Sequence, residues 1–266
     1  MLTDSYPAGF TALAIDERED RVHITLNRPE VRNAIDATMV AELHAVCGYL
    51  ETTPKILILS GTPADAESGR KGIFASGADI SQLRERRRND ALAGINSQIF
   101  DRIHRLPMPV IAALDGFALG GGAELAYAAD FRIASDTVKI GQPETNLGIS
   151  PAAGALWRLK ELVGEPVALE LILAGRILSA QEALDLKLVT EVHPADQLVD
   201  AAHALADRIA KQNPLAVRIS KRVFAMPRSA HPHVDELAQA ILFESQAKFD
   251  RMQAFLDKSK AKEKTS

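Results

Sequence analysis

Apolar and polar positions change rhythm along the chain, and each change marks a different kind of element. Residues 11–15 and 22–26 are short, partly alternating runs separated by the charged stretch 16–21, which predicts a hairpin. From Asp36, a residue suited to cap a helix, apolar side chains recur at Met39, Val40, Leu43, Val46, Cys47 and Leu50 until Pro54 closes the segment. That spacing is helical. Residues 56–59 return to a strand pattern, and 61–72, with Pro63, Gly69 and several charges, reads as an exposed loop. A helix over 91–106 ends before Pro107 and Pro109; a strand beginning at Val110, a glycine corner and a helix to about Ala129 follow. Residues 131–134 and 138–140 predict two more short strands.

Beyond Ala152 the pattern is helical over 153–163, 166–174, 180–186, 195–212, 214–224 and 234–258. The order strand, strand, helix recurs in the first part without a repeat at the level of residues. The chain therefore reads as an α/β region over 1–195 followed by a helical region over 196–266, whose Lys-rich end from Lys258 to Ser266 is expected to fray.

Composition narrows this picture. With 266 residues, 47% of them hydrophobic and 25% charged, the chain has material for one large globular domain or two small ones. A net charge of −4 gives no overall attraction to nucleic acid or an anionic membrane. The single Cys47 lies in the apolar stripe of its helix, which excludes an internal disulfide and suggests a buried, inert thiol. No basic stretch followed by an apolar core opens the sequence and no run is long enough to span a bilayer, so the expected location is the cytoplasm.

Candidate chemistry centres on Asp115-Gly116-Phe117-Ala118-Leu119-Gly120-Gly121-Gly122-Ala123-Glu124. Three successive glycines place bare peptide N–H groups where a helix begins, a corner suited to an oxygen that gains negative charge. A closely packed turn with a surface glutamate is the plainer reading of that stretch alone. Upstream, Ile73-Phe74-Ala75-Ser76-Gly77-Ala78-Asp79-Ile80 forms a second small-residue turn, and downstream Ile140-Gly141-Gln142-Pro143-Glu144 adds a second carboxylate. Burial would raise a carboxyl pKa, whereas the helix start near Glu124 would lower it.

In order, spacing and residue type these three stretches resemble the crotonase superfamily, the enoyl-CoA hydratase/isomerase family. The resemblance extends from Leu26-Asn27-Arg28-Pro29 to Ala254-Phe255-Leu256-Asp257-Lys258. It implies a crotonase-like spiral of ββα units followed by a C-terminal helical trimerisation region, with homotrimers often paired into hexamers. It implies hydration of a trans-2-enoyl-CoA to a 3-hydroxyacyl-CoA. The main-chain amides of Ala78 and Gly121 would form the oxyanion hole, Glu124 would activate water and Glu144 would protonate the α-carbon. Coenzyme A, as part of the substrate, would be met by Arg28, Val31 and Arg32 and by the turn carrying Ala75, Gly77, Ala78, Asp79 and Ile80. Ala152 would offer an amide to water, and Phe255 and Lys258 match positions that in some relatives reach a neighbouring subunit's coenzyme site. No metal or redox cofactor is implied.

The same residues leave two rivals: an isomerase in which Glu144 alone shuttles a proton, and a noncatalytic acyl-CoA-binding protein. Departures from the family pattern include Leu156 and Trp157, bulky residues expected to reshape packing or the acyl pocket, Asp115 in place of Asn and Arg251 in place of Gly. The run Arg84-Glu85-Arg86-Arg87-Arg88 suits coenzyme phosphates or RNA, but a solvated face is the commoner role of such a run and nucleic acid is not expected. His231-Pro232-His233 lacks the further ligands a metal site needs.

Overall fold

The computed structural model describes residues 1–2, 9–64 and 69–263, with side chains described to 259. Its strands are β1 (Leu13–Glu17), β2 (Arg21–Leu26), β3 (Ile56–Ser60), β4 (Val110–Leu114), β5 (Phe117–Leu119), β6 (Phe131–Ser135), β7 (Lys139–Gly141), β8 (Ile177–Ser179) and β9 (Glu191–His193). The helices of the first part are α1 (Ala37–Thr52), α2 (Ile80–Glu85), α3 (Arg88–Leu92), α4 (Ile95–His104), α5 (Gly121–Tyr127), α6 (Lys160–Val163), α7 (Glu165–Leu173) and α8 (Ala180–Asp185). Then come α9 (Leu198–Ala210), α10 (Pro214–Phe224), α11 (His233–Phe243) and α12 (Gln246–Glu263).

A six-stranded sheet runs β1-β2-β3-β4-β6-β9, with β1 and β2 antiparallel as the expected hairpin and the other neighbours parallel. Every residue of β3 and β4 is buried, as parallel strands covered on both faces must be. A second sheet, β5-β7-β8, lies beside it in the chain's order, and a parallel bridge from Ala75 to Ala118 extends it by one position. The spiral is visible in that pairing. Each turn places one strand in the large sheet (β3, β4, β6) and then one segment in the small one (Ala75, β5, β7).

Local chemistry explains most boundaries. Asp36 caps α1 by accepting from the Met39 amide at 2.8 Å, and Cys47 is buried in its apolar stripe with a thiol pKa that burial pushes up to about 12. The predicted helix over 91–106 is two helices, because Gly94 takes φ +61° and starts α4 afresh. The expected helix over 234–258 is likewise divided, into α11 and α12, and α12 continues to Glu263 where fraying was expected. Residues 264–266 lie outside the described part. The loop expected to be exposed over 61–72 is buried at both ends, where Thr62 and Ile73 pair and the Thr62 hydroxyl donates to the Leu26 carbonyl; residues 65–68 lie outside the described part.

The chain divides into two compact units, Met1–Asp207 and Arg208–Ser266. Leu198, Ala202, Leu205 and Ala206 are buried, which ties most of α9 to the first unit. The second unit pairs α10 with α11 and continues into α12.

Candidate active site

The Ala75–Ala78 turn is held from both sides. Asn33, itself buried, donates its amide to the carbonyls of Ile73 and Phe74, and the Ser76 amide donates to Arg32. The Ile35 amide donates to Gly77 at 2.8 Å, while Asp79 returns a bond to the Ile35 carbonyl at 3.0 Å. These bonds use the Gly77 carbonyl and the Asp79 N–H on either side of Ala78 and leave its own N–H out of the ladder. A second turn sits against the first. Gly120 takes φ +52°, donates to the Gly141 carbonyl, and hands the chain to α5, whose first residue is Gly121. An amide in that position has no acceptor four residues back.

The two turns nearly touch. A Cβ on Gly121 would lie 3.3 Å from the Ala78 nitrogen, and one on Gly122 would meet the Ala75 carbonyl oxygen at 2.4 Å. Side chains at these positions would separate the turns, so the glycines set the distance between the two peptide groups.

Glu124 follows one helical turn later and is 3% exposed. Its Oε1 accepts from the amides of Ala153 at 2.7 Å and Ala155 at 3.1 Å, so an acidic side chain in a nearly closed interior has fixed donors. Burial pushes its pKa up and the amides of Ala155, Ala153 and Gly154 pull the other way; burial prevails. Glu144 opens the short turn Glu144–Leu147 and is 8% exposed. Burial raises its pKa to about 7, its own backbone amide opposes this, and the charge of Glu124 adds to the rise. Gln142, fully buried, turns its amide nitrogen to Glu144 Oε2 at 2.9 Å and Oε1 at 3.2 Å, and it also hydrogen-bonds Tyr127.

A cavity of about 550 Å³ joins these parts. Of the residues singled out in the sequence, Gly77, Ala78, Ile80, Gly121, Glu124, Glu144 and Ala152 line it. Arg28, Val31, Arg32, Ala75 and Asp79 are not among the lining residues. Arg28 pairs with Asp36 at 3.2 Å and Asp79 at 3.7 Å, and Asp79 caps α2 by accepting from Ser81 and Gln82, so these charges brace the turn. Ala75 is fully buried beneath it, whereas Val31 is 38% exposed. Phe255 and Lys258 are exposed on α12 in the second unit.

Two expectations about side chains change, and Asp115 finds a partner. Leu156 and Trp157, expected to reshape the packing or the acyl pocket, point outward at 52% and 41% exposure and are absent from the cavity wall, because residues 155–159 turn as a single π coil that buries Ala155, Arg158 and Leu159 instead. Asp115 is buried and accepts from the Thr137 hydroxyl at 2.9 Å. Part of the charged run at 84–88 also proves to be wall: Arg86, Arg87 and Arg88 line the cavity. Asn96 and the apolar Leu83, Ile95, Leu147 and Ile149 do too. Periodicity gave no signal for Asn96, while Gln142 lay unremarked two residues before Glu144. His231 hydrogen-bonds Asp235, and among the described residues no group of three His, Cys, Asp or Glu is placed to hold a metal ion.

A family profile described as enoyl-CoA hydratase/isomerase matches residues 17–265. The chain is similar to a short-chain-enoyl-CoA hydratase of Clostridium acetobutylicum, with 36% identity over 256 residues, 92% of this chain and 94% of that protein. It is 34% identical to a crotonyl-CoA hydratase of Syntrophomonas wolfei, over 92% of this chain and 95% of that one. The solved structure of an enoyl-CoA hydratase from Bacillus anthracis superposes with a TM-score of 0.86 and 31% identity, covering 93% of this chain and 97% of the other.

Proposed function

The chain belongs to the enoyl-CoA hydratase/isomerase family, and from that premise we propose that it adds water to a trans-2-enoyl-CoA, giving a 3-hydroxyacyl-CoA by syn addition. The observation that carries this reading is the meeting, in one cavity, of two buried glutamates with raised pKa values and two peptide turns packed against each other.

In this reading the thioester carbonyl oxygen lies against the Ala78 and Gly121 amides. As water adds at the β-carbon, electron density moves onto that oxygen, where fixed donors stabilise it without reorganising. Glu124, held at Oε1 by the amides of Ala153 and Ala155, acts as carboxylate and takes a proton from the attacking water. Glu144, whose pKa of about 7 keeps much of it protonated near neutrality, gives its proton to the α-carbon. One carboxyl gains a proton and the other loses one, so exchange with solvent restores both. Side chains, peptide amides and water account for every step, with coenzyme A entering as part of the substrate. Its contacts are assigned to the loop of Arg28, Val31 and Arg32 and to the turn of Ala75–Ile80.

An isomerase needs a proton shuttle at Glu144 only and leaves Glu124, pinned on the cavity wall, without a task. The test follows loss of enoyl absorbance with crotonyl-CoA for wild type, Glu124→Gln and Glu144→Gln, with a 3-enoyl-CoA as the rival substrate. Hydration at the original rate in both variants would remove the assignment. We further infer a homotrimer or hexamer in the cytoplasm. Phe224, Leu237, Ile241, Phe249 and Phe255 of the second unit are more than half exposed, an apolar surface that suits a subunit contact. No helix among the described residues is long and apolar enough to cross a membrane. Light scattering after size exclusion checks the assembly.

A further inference from the structure

The cavity holds more positive charge than hydration of a simple acyl chain requires. Three consecutive arginines, Arg86, Arg87 and Arg88, line the same space as Glu124 and Glu144. They follow directly on α2, whose Ile80 and Leu83 belong to the apolar part of that wall. Arg86 is half-buried. Its Nη1 donates to Asn96 Oδ1 at 3.3 Å, and Asn96 Nδ2 lies 3.7 Å from where a Cβ on Gly121 would stand. One amide side chain thus separates this guanidinium from the glycine corner.

Charge balance on that wall is incomplete. Elsewhere Arg21, Arg28, Arg102 and Arg158 have carboxylate partners in Asp20, Asp36, Glu51 and Asp101, and the buried Arg132 is held by two backbone carbonyls, of Ala129 and Leu188, away from this cavity wall. Among the described residues no ion pair involves Arg86, Arg87 or Arg88. Asp90 is the acidic neighbour on the wall, and its Oδ2 is engaged by the Arg87 backbone amide at 2.8 Å. A guanidinium drawn partly out of water with only an amide oxygen as acceptor has unused donors and uncompensated charge. Leu83, Ile95, Leu147 and Ile149 explain how the cavity would take hydrocarbon; they do not explain three cations.

Resting on the hydratase reading above, we propose that the preferred acyl group ends in a carboxylate, so that the substrate is a 2-enoyl thioester of a dicarboxylic acid, and that Arg86, supported by Arg87 and Arg88, recognises the distal acid. An Arg–carboxylate pair is planar and bidentate, and partial burial, as at Arg86, strengthens it, while the exposed Arg87 and Arg88 add charge beside it. The arginines act on specificity and take no part in proton transfer.

The test compares the C1 CoA thioester of trans-2-hexenedioic acid with trans-2-hexenoyl-CoA, equal in chain length and differing in the terminal carboxylate. Wild type should favour the diacid by about tenfold or more in kcat/KM, the scale of one charge-assisted hydrogen bond. Arg86→Gln and the double variant Arg87→Gln/Arg88→Gln should each bring that ratio towards one, with Arg86→Lys retaining part of it. Equal rates for the two thioesters in wild type would overturn the proposal.

Pantetheine thioesters of the same two acids separate the acyl tail from the carrier's nucleotide. A diacid preference that persists there places the arginines on the tail. Variants that slow both coenzyme A thioesters alike, with no effect on pantetheine thioesters, would place them on carrier phosphates and sink the idea. Dissociation constants of adipyl-CoA and hexanoyl-CoA give the same ratio without turnover. An enzyme that binds adipyl-CoA preferentially yet hydrates neither enoyl thioester would refute the hydratase reading and keep the anionic tail.

Discussion

Two pairs of sheltered glutamates receive opposite treatment in this molecule. Glu42, 2% exposed, accepts from the Thr11 amide and hydroxyl and from the Ala12 amide, and Glu17 accepts from the Leu2 amide, the Tyr49 hydroxyl and Lys55. Burial works to raise the Glu17 pKa, yet those bonds and the Lys55 charge bring it down to about 2. Glu124 and Glu144 have fewer donors for their burial, no cation beside them among the causes of their shifts, and raised pKa values. The first pair spends its acceptor oxygens on holding β1 and α1 in place. In the second pair burial prevails at both residues, and Glu144, at about 7, keeps a proton available near neutral pH, which a structural carboxylate has no use for.

The sharpest way to break this contrast is by rate. Glu144→Gln and Glu124→Gln should each lower kcat for enoyl-CoA hydration by about a hundred- to ten-thousandfold, with the circular dichroism spectrum unchanged. Glu17→Gln and Glu42→Gln should keep kcat within a few-fold. If the cavity variants lose stability while the other two lose rate, the division is mistaken.

Stability against pH supplies the next test, with opposite signs for the two groups. The Glu144 pKa in the folded protein, about 7, lies above its ordinary value of 4.5, so on raising the pH the unfolded chain releases this proton first. Folding therefore loses up to about 3 kcal/mol between those values, and Glu144→Gln should be more stable than wild type at pH 8 in urea melts. For Glu17 the folded value lies below the ordinary one, so its contribution is present above pH 4.5 and is lost as the pH falls towards about 2. After allowing for solvent screening this amounts to about 2 kcal/mol, and Glu17→Gln should flatten the acid limb of the stability curve. In Glu42→Gln an amide nitrogen would face the Thr11 and Ala12 donors, costing about 1–3 kcal/mol.

The smallest expected effect is the most local. Gln142→Leu removes a donor that favours the ionised Glu144, so the fall in kcat with rising pH should move up by about one unit with KM little changed. An unmoved profile would leave Gln142 a packing residue.

Legibility followed the length of each signal. The helix from Asp36, with six apolar positions in period, and the continuous apolar runs at 56–59 and 110–114 were plain because many residues repeat one message. Strands β5, β8 and β9 were not, since three residues rarely show alternation; β7, equally short, was read only because Val138 and Ile140 flank a lysine. Helices α2 and α3 were hidden in a charged run: Asp79 caps the first, and Arg86 and Arg87 return to extended backbone between them. At the site, the glycine corner and both glutamates carried a motif. Gln142, Asn96 and the arginine wall did not, because their places depend on how distant segments meet around the cavity.

One consequence follows from where α5 starts. Gly121 is its first residue and Glu124 lies three positions on, so a single rigid turn of backbone spaces the amide proposed to meet the carbonyl oxygen from the acid beside it. The wall from Leu83 to Ile95 belongs to other pieces of chain. Descendants of this sequence can therefore change diet without relearning how to cook: what is accepted can drift at one locus while the reaction stays tethered to another.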